Sequence, residues 1–390
     1  MDDITVTGFG KNGLSLGGYN GSSGYRDVDI TDSTFRQNRD GISIYGIPFN
    51  AAAPTYAIDD VRIARVRAYN NAGVSGSTSP TGNGIVLGGV RNGVIERSVA
   101  YGNGGNNSAR SGPIGIWVYD TDRVVIQYNE SYANDRGTGR DGGGFDLDQN
   151  TSNSVLQYNY AHDNDGAGFL AYTGQQNDAH RDNIIRYNVS ERDGRGGGYG
   201  GISIGGRVGD LDVYNNTVYF PSGAFGTNGA AIINTVTGAR ATIRNNIFYT
   251  AGGARLVSAV DGANLLFQRN AYWSGGSAVA IRWDGTTHSS VNGWLDANRS
   301  QERVDLDSNG TLDRAALNVN PRLTSPGTGG TIGDAAQLGT LVEYKLLSDS
   351  PLRDKGLDLY ARYGIDQGKY DFFGMTIKQD GGYEIGASEI

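Results

Sequence analysis

Several absences narrow the possibilities before any motif is read. Across 390 residues the chain has no cysteine, which excludes disulfides and thiolate metal sites. Between Lys11 and Lys345 it has no lysine, so no lysine general base can act in the central part of the chain. No apolar run approaches the ~20 residues that a membrane-spanning helix requires. Basic charge is also short: 33 Lys and Arg stand against 41 Asp and Glu, a formal net charge of −8. That balance argues against a nucleic-acid binder, which wants a basic face. Proline is scarce, at 8 residues.

What is present is glycine, 62 residues, together with 23 tyrosines and a hydrophobic share of 37%. Such a chain can still build a core and is not compositionally disordered. The opening MDDITVTGFG reads as though it begins inside a repeat, which leaves room for an upstream leader or capping segment. The lack of cysteine is compatible with export, and a secreted, monomeric protein is the expectation.

One repeat organises most of the chain. GISIYG at Gly41, GIVLGG at Gly84, GIWVYD at Gly115, GFDLDQ at Gly144, GFLAYT at Gly168 and GISIGG at Gly201 share a pattern of glycine, apolar, variable, apolar, variable. GLSLGG at Gly13 and GAAIIN at Gly229 extend it. Behind most of them comes a second short strand ending in asparagine, such as VVIQYNE or NIIRYNV. Spacings from 24 to 43 residues leave the loops variable and the strands constant. Period-2 strands recurring once per coil predict a parallel β-solenoid. No helical periodicity separates the strands, which excludes a βαβ fold, and a propeller would want four strands per blade. Asn129, Asn159, Asn188, Asn215, Asn245 and Asn270 are expected to stack at one corner, each amide bonding the next. The repeat fades after Ala271. The coils are therefore assigned to residues 1–285, and residues 286–390 to an irregular C-terminal cap over the solenoid end, where an open edge would otherwise invite other chains.

These repeats, with the ending SPLRDKG…DFFG…YEIGASE, resemble the right-handed parallel β-helix superfamily of pectate lyases, mannuronan C5-epimerases and related hydrolases. The resemblance implies an all-β right-handed solenoid acting on a polysaccharide. The epimerases carry a strand Tyr-Gly-Phe-Asp-Pro-His-Glu followed by AHDN…GF. Here GGFDLDQ precedes AHDNDGAGFLAY, so Phe145 and Asp146 match. Gly143 and Asp148 stand where that family has its proton-transferring tyrosine and histidine, which speaks against epimerase and β-elimination chemistry.

Alternation along each Gly-led strand sends the second and fourth residues inward and the third and fifth outward. The outward pairs are then Ser43/Tyr45, Val86/Gly88, Trp117/Tyr119, Asp146/Asp148, Leu170/Tyr172 and Ser203/Gly205. The middle of this stripe is two carboxylates between aromatic rings, although strands are poor in Asp. A solvated sheet face would account for it, but sugar rings stack on Trp and Tyr, and an extended aromatic face suits a polysaccharide. Carboxyls at i and i+2, with Cα atoms ~6.5–7 Å apart, can reach either the ~5–5.5 Å of retaining or the ~6.5–9.5 Å of inverting glycosidases. Asp146 and Asp148 are thus the candidate catalytic pair, with Tyr45, Trp117 and Tyr119 binding sugar.

A calcium-dependent lyase or epimerase is the alternative. In it the aspartates, with Asp141, Asp163 and Asp165, hold Ca²⁺, Tyr172 or His180 moves protons, and Arg140, Arg192 or Arg195 neutralises a uronate. Those arginines are equally explained as surface charges paired with nearby aspartates. His180 is expected in a loop overhanging the groove, and His162 is expected to bond backbone in its turn. A non-catalytic glycan-binding solenoid is the third possibility. Separately, DLDSNGTLD carries Asp305, Asp307, Asn309 and Gly310 at the spacing of a calcium loop. Its twelfth position is Ala316, so it is no EF-hand, and Asp313 would have to complete a structural site. An Asx-rich turn is the simpler reading.

Overall fold

The computed structural model describes residues 1–221, 229–378 and 381–390. The chain winds as a right-handed solenoid of three parallel sheets, visited in the same order in every coil. The first, here the groove sheet, contains Asn12–Tyr19, Asp40–Ile47, Ile85–Gly88, Ile114–Tyr119, Gly143–Leu147, Phe169–Thr173 and Gly200–Gly206. The second runs from Tyr25–Thr31 to Leu265–Gln268, and the third from Thr5–Thr7 to Ala271–Trp273. Inward residues such as Ile42, Ile44, Ile116, Phe145 and Phe169 are fully buried in one continuous core. The leading glycines are required by stacking. A Cβ on Gly41 would sit 2.4 Å from the Gly84 carbonyl oxygen, and one on Gly84 would sit 2.3 Å from that of Gly115.

The asparagine column forms, with one shift of register. Asn129 donates its amide to Asn159 at 3.0 Å, Asn159 to Asn188 at 3.1 Å, and Asn188 to Asn216 at 3.0 Å. Asn216, Asn246 and Asn270 continue it, ending on the Glu302 carboxylate. Asn215 and Asn245 are therefore not in the column. In earlier coils the residue before the column asparagine is a tyrosine held at positive φ, as at Tyr128, Tyr158 and Tyr187. In the YNN and RNN repeats Asn215 and Asn245 take that left-handed position, at φ 53° and 52°, which asparagine tolerates better than other side-chain-bearing residues. A second, unforeseen column joins Asn71, Asn103, Asn134 and Asn164 to Asp193 at the corner between the third sheet and the groove sheet.

Beyond the last coil, Ser290 caps the helix Val291–Ala297. Its Trp294 packs at 5.7 Å on Phe267 and 5.2 Å on Trp283, closing the end. The chain after it runs back along the side of the solenoid. Gly329 donates its N–H to Glu191, Ile332 and Gly333 donate to Glu130, and the Gly333 carbonyl accepts from Arg67 of an early coil. The end-covering role thus falls to the early part of the expected cap, through Trp294, Glu302 and Leu317. The rest lies along the third sheet and, at Asp366 and Tyr363, against the second.

Candidate functional site

Parallel register builds the outward stripe as alternation predicts. Trp117 pairs with Val86 on one side and Asp146 on the other, and Asp146 pairs with Leu170. In the second outward row Tyr45 stands beside Gly17, Tyr119 beside Gly88 and Tyr172 beside Gly205. Asp148 follows the end of its strand and donates its N–H to the Val118 carbonyl at 2.8 Å, which sets it next to Tyr119. The glycines determine where the rings lie. A Cβ on Gly88 would be 2.2 Å from the Tyr119 ring, and one on Gly205 2.8 Å from that of Tyr172. Tyr119 therefore leans towards the preceding coil and Tyr172 towards the following one. Between them the floor is left open at Asp148.

The result is a groove of about 530 Å³ with Asp148, Trp117, Tyr119 and Tyr172 on its lining. Earlier loops supply the far wall, which the sequence did not suggest. Asn83 accepts the Trp117 indole N–H at 3.0 Å and fixes the ring. Arg39 is bound to Asp40 at 2.8 Å and to Asn12 at 2.8 Å. A hollow of similar size on the second sheet, about 510 Å³, differs in kind: Arg240 there pairs with Asp210 and Arg244 with Asp212.

The two aspartates are not equivalent. Asp148 is half-buried and reaches the groove. Burial, opposed by the Gln149 N–H and reinforced by Asp141 and Asp120, pushes its pKa up to about 7. Asp146 is only 3% exposed, and its Oδ1 has no hydrogen-bond partner. Burial raises its pKa well above the usual carboxylate range, with Asp148 and Asp141 adding to the effect, because burial and neighbouring carboxylates both disfavour the ionised form. Asp141 accepts hydrogen bonds from the Tyr199 hydroxyl and the Gly112 N–H. Tyr199 was not foreseen. It arrives from a glycine loop 58 residues away, a separation that no strand pattern encodes.

Other expected site residues lie elsewhere. His180 is completely buried. Its Nε2 donates to the Leu147 carbonyl at 2.9 Å, and its Nδ1 accepts from Asn183 at 3.3 Å. Burial lowers its pKa to about 4, so it is a neutral prop behind the Asp strand and not a groove base. Its loop turns inward at the corner because Asn183 and His180 together satisfy backbone carbonyls there. Arg192 pairs with Asp163 and Glu191 on the third sheet, and Arg195 bonds the Asp163 carbonyl at 3.3 Å. Neither reaches the groove. Arg140 is exposed beside Asp141 and Tyr199, on which its charge acts. His162 bonds the side chains of Glu130 and Asp163, both at 3.1 Å, and not backbone.

Calcium takes six to eight oxygens. Among the described residues, the one acidic trio whose ligand atoms lie within 4.8 Å of one another is Asp305, Asp307 and Asp313. Asp305 already accepts the Asn309 and Gly310 N–H groups, at 3.0 and 2.8 Å. Asn309 turns its amide nitrogen towards Asp307, and its oxygen accepts from Thr311. The groove aspartates do not converge in this way.

A family model of the right-handed β-helix region matches residues 1–218, more than half of the chain. The chain belongs to the right-handed β-helix family. Among solved β-helix structures, a pectate lyase described for its substrate specificity and anti β-elimination mechanism shares 13% identity, over 81% of this chain and 67% of that one, at a TM-score of 0.36. A pectate lyase bound to a hexasaccharide shares 13% over the same spans, at 0.32. A variant of the Bacillus subtilis pectate lyase shares 12%, also over 81% and 67%, at 0.31. Likeness this distant has no bearing on the chemistry of the groove. No curated protein matches the sequence. No helix among the described residues is long and apolar enough to cross a membrane.

Proposed function

We propose that this β-helix protein is a secreted, monomeric glycoside hydrolase that cleaves a polysaccharide lying along the groove sheet. The observation that carries the reading is Asp148, a half-buried carboxyl that titrates near neutrality on the floor of an aromatic-walled groove. Hydrolysis adds the OH of water to the anomeric carbon and a proton to the departing glycosidic oxygen. Two carboxyl groups manage those protons, one giving and one receiving. Asp148 is the member that meets the sugar. Asp146 stands behind it, buried, with one oxygen that no protein group satisfies. Trp117, Tyr119, Tyr172 and Tyr45 supply stacking surfaces.

A calcium-dependent lyase or epimerase has less support. The arginines Arg192 and Arg195 and the base His180 are engaged away from the groove, and the groove aspartates do not gather their oxygens for a metal. The burial of Asp146 favours a second reading, a glycan-binding solenoid without catalysis. Incubation with a panel of polysaccharides distinguishes these. New reducing ends without ultraviolet-absorbing unsaturated products support hydrolysis. Unsaturated products would mark a lyase. Binding with no new ends would mark a lectin-like role.

A further inference from the structure

We infer that the groove accepts a glycan without carboxylates, neutral or amino-bearing, and rejects polyuronates. This inference rests on the groove reading above and goes further by naming the class of sugar. Among the described residues that line the groove, Arg39 is the one cation. It is already held by Asp40 through Nε at 2.8 Å and by Asn12 through Nη2 at 2.8 Å. Asp40 is itself fixed. Its Oδ1 accepts the Gly82 and Asn83 N–H groups and the Asn83 amide, at 2.8, 2.9 and 3.0 Å. Arg39 is thus balanced by its own counter-charge, and the lining has no surplus positive charge to meet a sugar carboxylate.

The remaining formal charge on the lining is Asp148, with Asp120 and Asp141 close enough to act on it. Arg140 is exposed, and its charge acts on Asp141 and Tyr199. Arg192 and Arg195, the residues suited to grip a uronate, are turned to the third sheet. A polyuronate would therefore bring a row of anions against an uncompensated carboxyl in a partly dry groove, where charge repulsion is weakly screened. A neutral sugar offers hydroxyls to Asp148 and ring faces to Trp117. An amino sugar adds attraction.

The test uses pairs of polymers that share a backbone and differ in charge: polygalacturonate with its methyl-esterified form, and N-acetylated with deacetylated glucosamine oligomers. Binding to the intact protein is measured by calorimetry at low and high salt. In the first pair the ester should bind at least tenfold more tightly than the acid, and added salt should narrow the gap. In the second, the deacetylated oligomers should bind at least as tightly as the acetylated ones. Asp40→Asn keeps the Oδ1 acceptor but releases Arg39, and should raise affinity for polygalacturonate alone. Asp148→Asn should narrow the ester–acid gap as well, which covers the case of an Asp40 variant that folds poorly. Preference for the free acid, lost in Trp117→Ala, would overturn the inference and leave the groove reading standing. Binding to every polymer that Trp117→Ala leaves unchanged would overturn both.

Discussion

The groove sheet and the third sheet carry similar side chains and use them in opposite ways. The third sheet is the richer in residues associated with catalysis. Tyr69, Tyr101, Tyr132 and His162 stack in a row at 4.7, 4.8 and 4.7 Å, beside Glu130, Glu191, Asp163 and Arg192. The returning C-terminal segment covers this cluster, and its charges are matched. Glu191 accepts from Tyr160, Tyr344 and Gly329 and pairs with Arg192, and His162 lies between Glu130 and Asp163. On the groove sheet no such segment among the described residues lies over Asp148, and the buried Asp146 keeps an unpartnered oxygen. Residue type alone does not mark a site. What marks it is a polar group that the protein leaves without a partner.

Substitution on each sheet sharpens the contrast, and the largest effect is expected in the groove. Asp148→Asn should lower turnover by about 10²–10⁴-fold, the range for removing a general acid or base, while melting and binding of a neutral polysaccharide stay close to the parent. Undiminished activity would remove Asp148 from the mechanism. On the covered sheet, Glu191→Ala should leave catalysis alone and cost about 1–3 kcal/mol, because it removes the acceptor of the Tyr344 hydroxyl and the Gly329 N–H, while Arg192 keeps Asp163. Chemical denaturation measures that loss.

The covered side also holds unpartnered polar atoms, such as the Thr250 and Tyr187 hydroxyls, and the most heavily charged case lies at the end of the chain. Glu384 and Glu389 are buried together under the end of the chain, with both Glu384 oxygens and one of Glu389 lacking partners. Burial, and then the neighbouring Glu384, raise the Glu389 pKa to about 9. An acid whose folded pKa is raised favours its protonated form, so its stabilising contribution is complete below the unfolded value and is lost as pH climbs towards 9. The melting temperature should therefore fall from about pH 5 to pH 9, and Glu389→Gln should flatten that slope. An unchanged slope in the variant would show that the pair is not its source.

Smaller effects test the corners. Asn216→Ala removes a link of the buried column and should cost about 1–3 kcal/mol by leaving backbone partners unmet. If the two substitutions had interchangeable effects, the one-residue register would be wrong, since Asn215→Ala removes bonds to the Glu384 and Gly386 carbonyls instead. Smallest of all is the Asp305 loop. We propose Ca²⁺ there, held by Asp305, Asp307 and Asp313, and a chelator should lower the melting temperature slightly, because a ligand bound only by the folded state stabilises it. No change on chelation would leave an Asx turn.

Much of this architecture was legible because a parallel solenoid is nearly one-dimensional. Once Gly144 and Phe145 are placed, the period of two sends Asp146 outward, and stacking sets it beside Trp117 and Leu170. The repeat also announced the asparagine column, though the doubled asparagines hid which of each pair belongs to it. Only the left-handed backbone at Asn215 and Asn245 separates them. The loops were not legible. Tyr199 meets Asp141, Asn83 meets Trp117 and Arg39 locks onto Asp40 through segments of unequal length, whose course depends on packing and not on periodicity.

The sequence by itself thus determined the winding, the facing of the stripe and the place of the Asp pair, because alternation and coil stacking are local rules repeated many times. Tertiary structure alone decided which charges remain free. His180 lost its candidacy when its loop folded inward to the Leu147 carbonyl, and Arg192 when the returning C-terminal segment covered its sheet. Asp148 kept its own because Tyr119 and Tyr172 lie over glycines and lean away from it. Whether a carboxyl or an arginine is answered or left open depends on contacts between segments far apart in the chain, and those form only when the coils have closed.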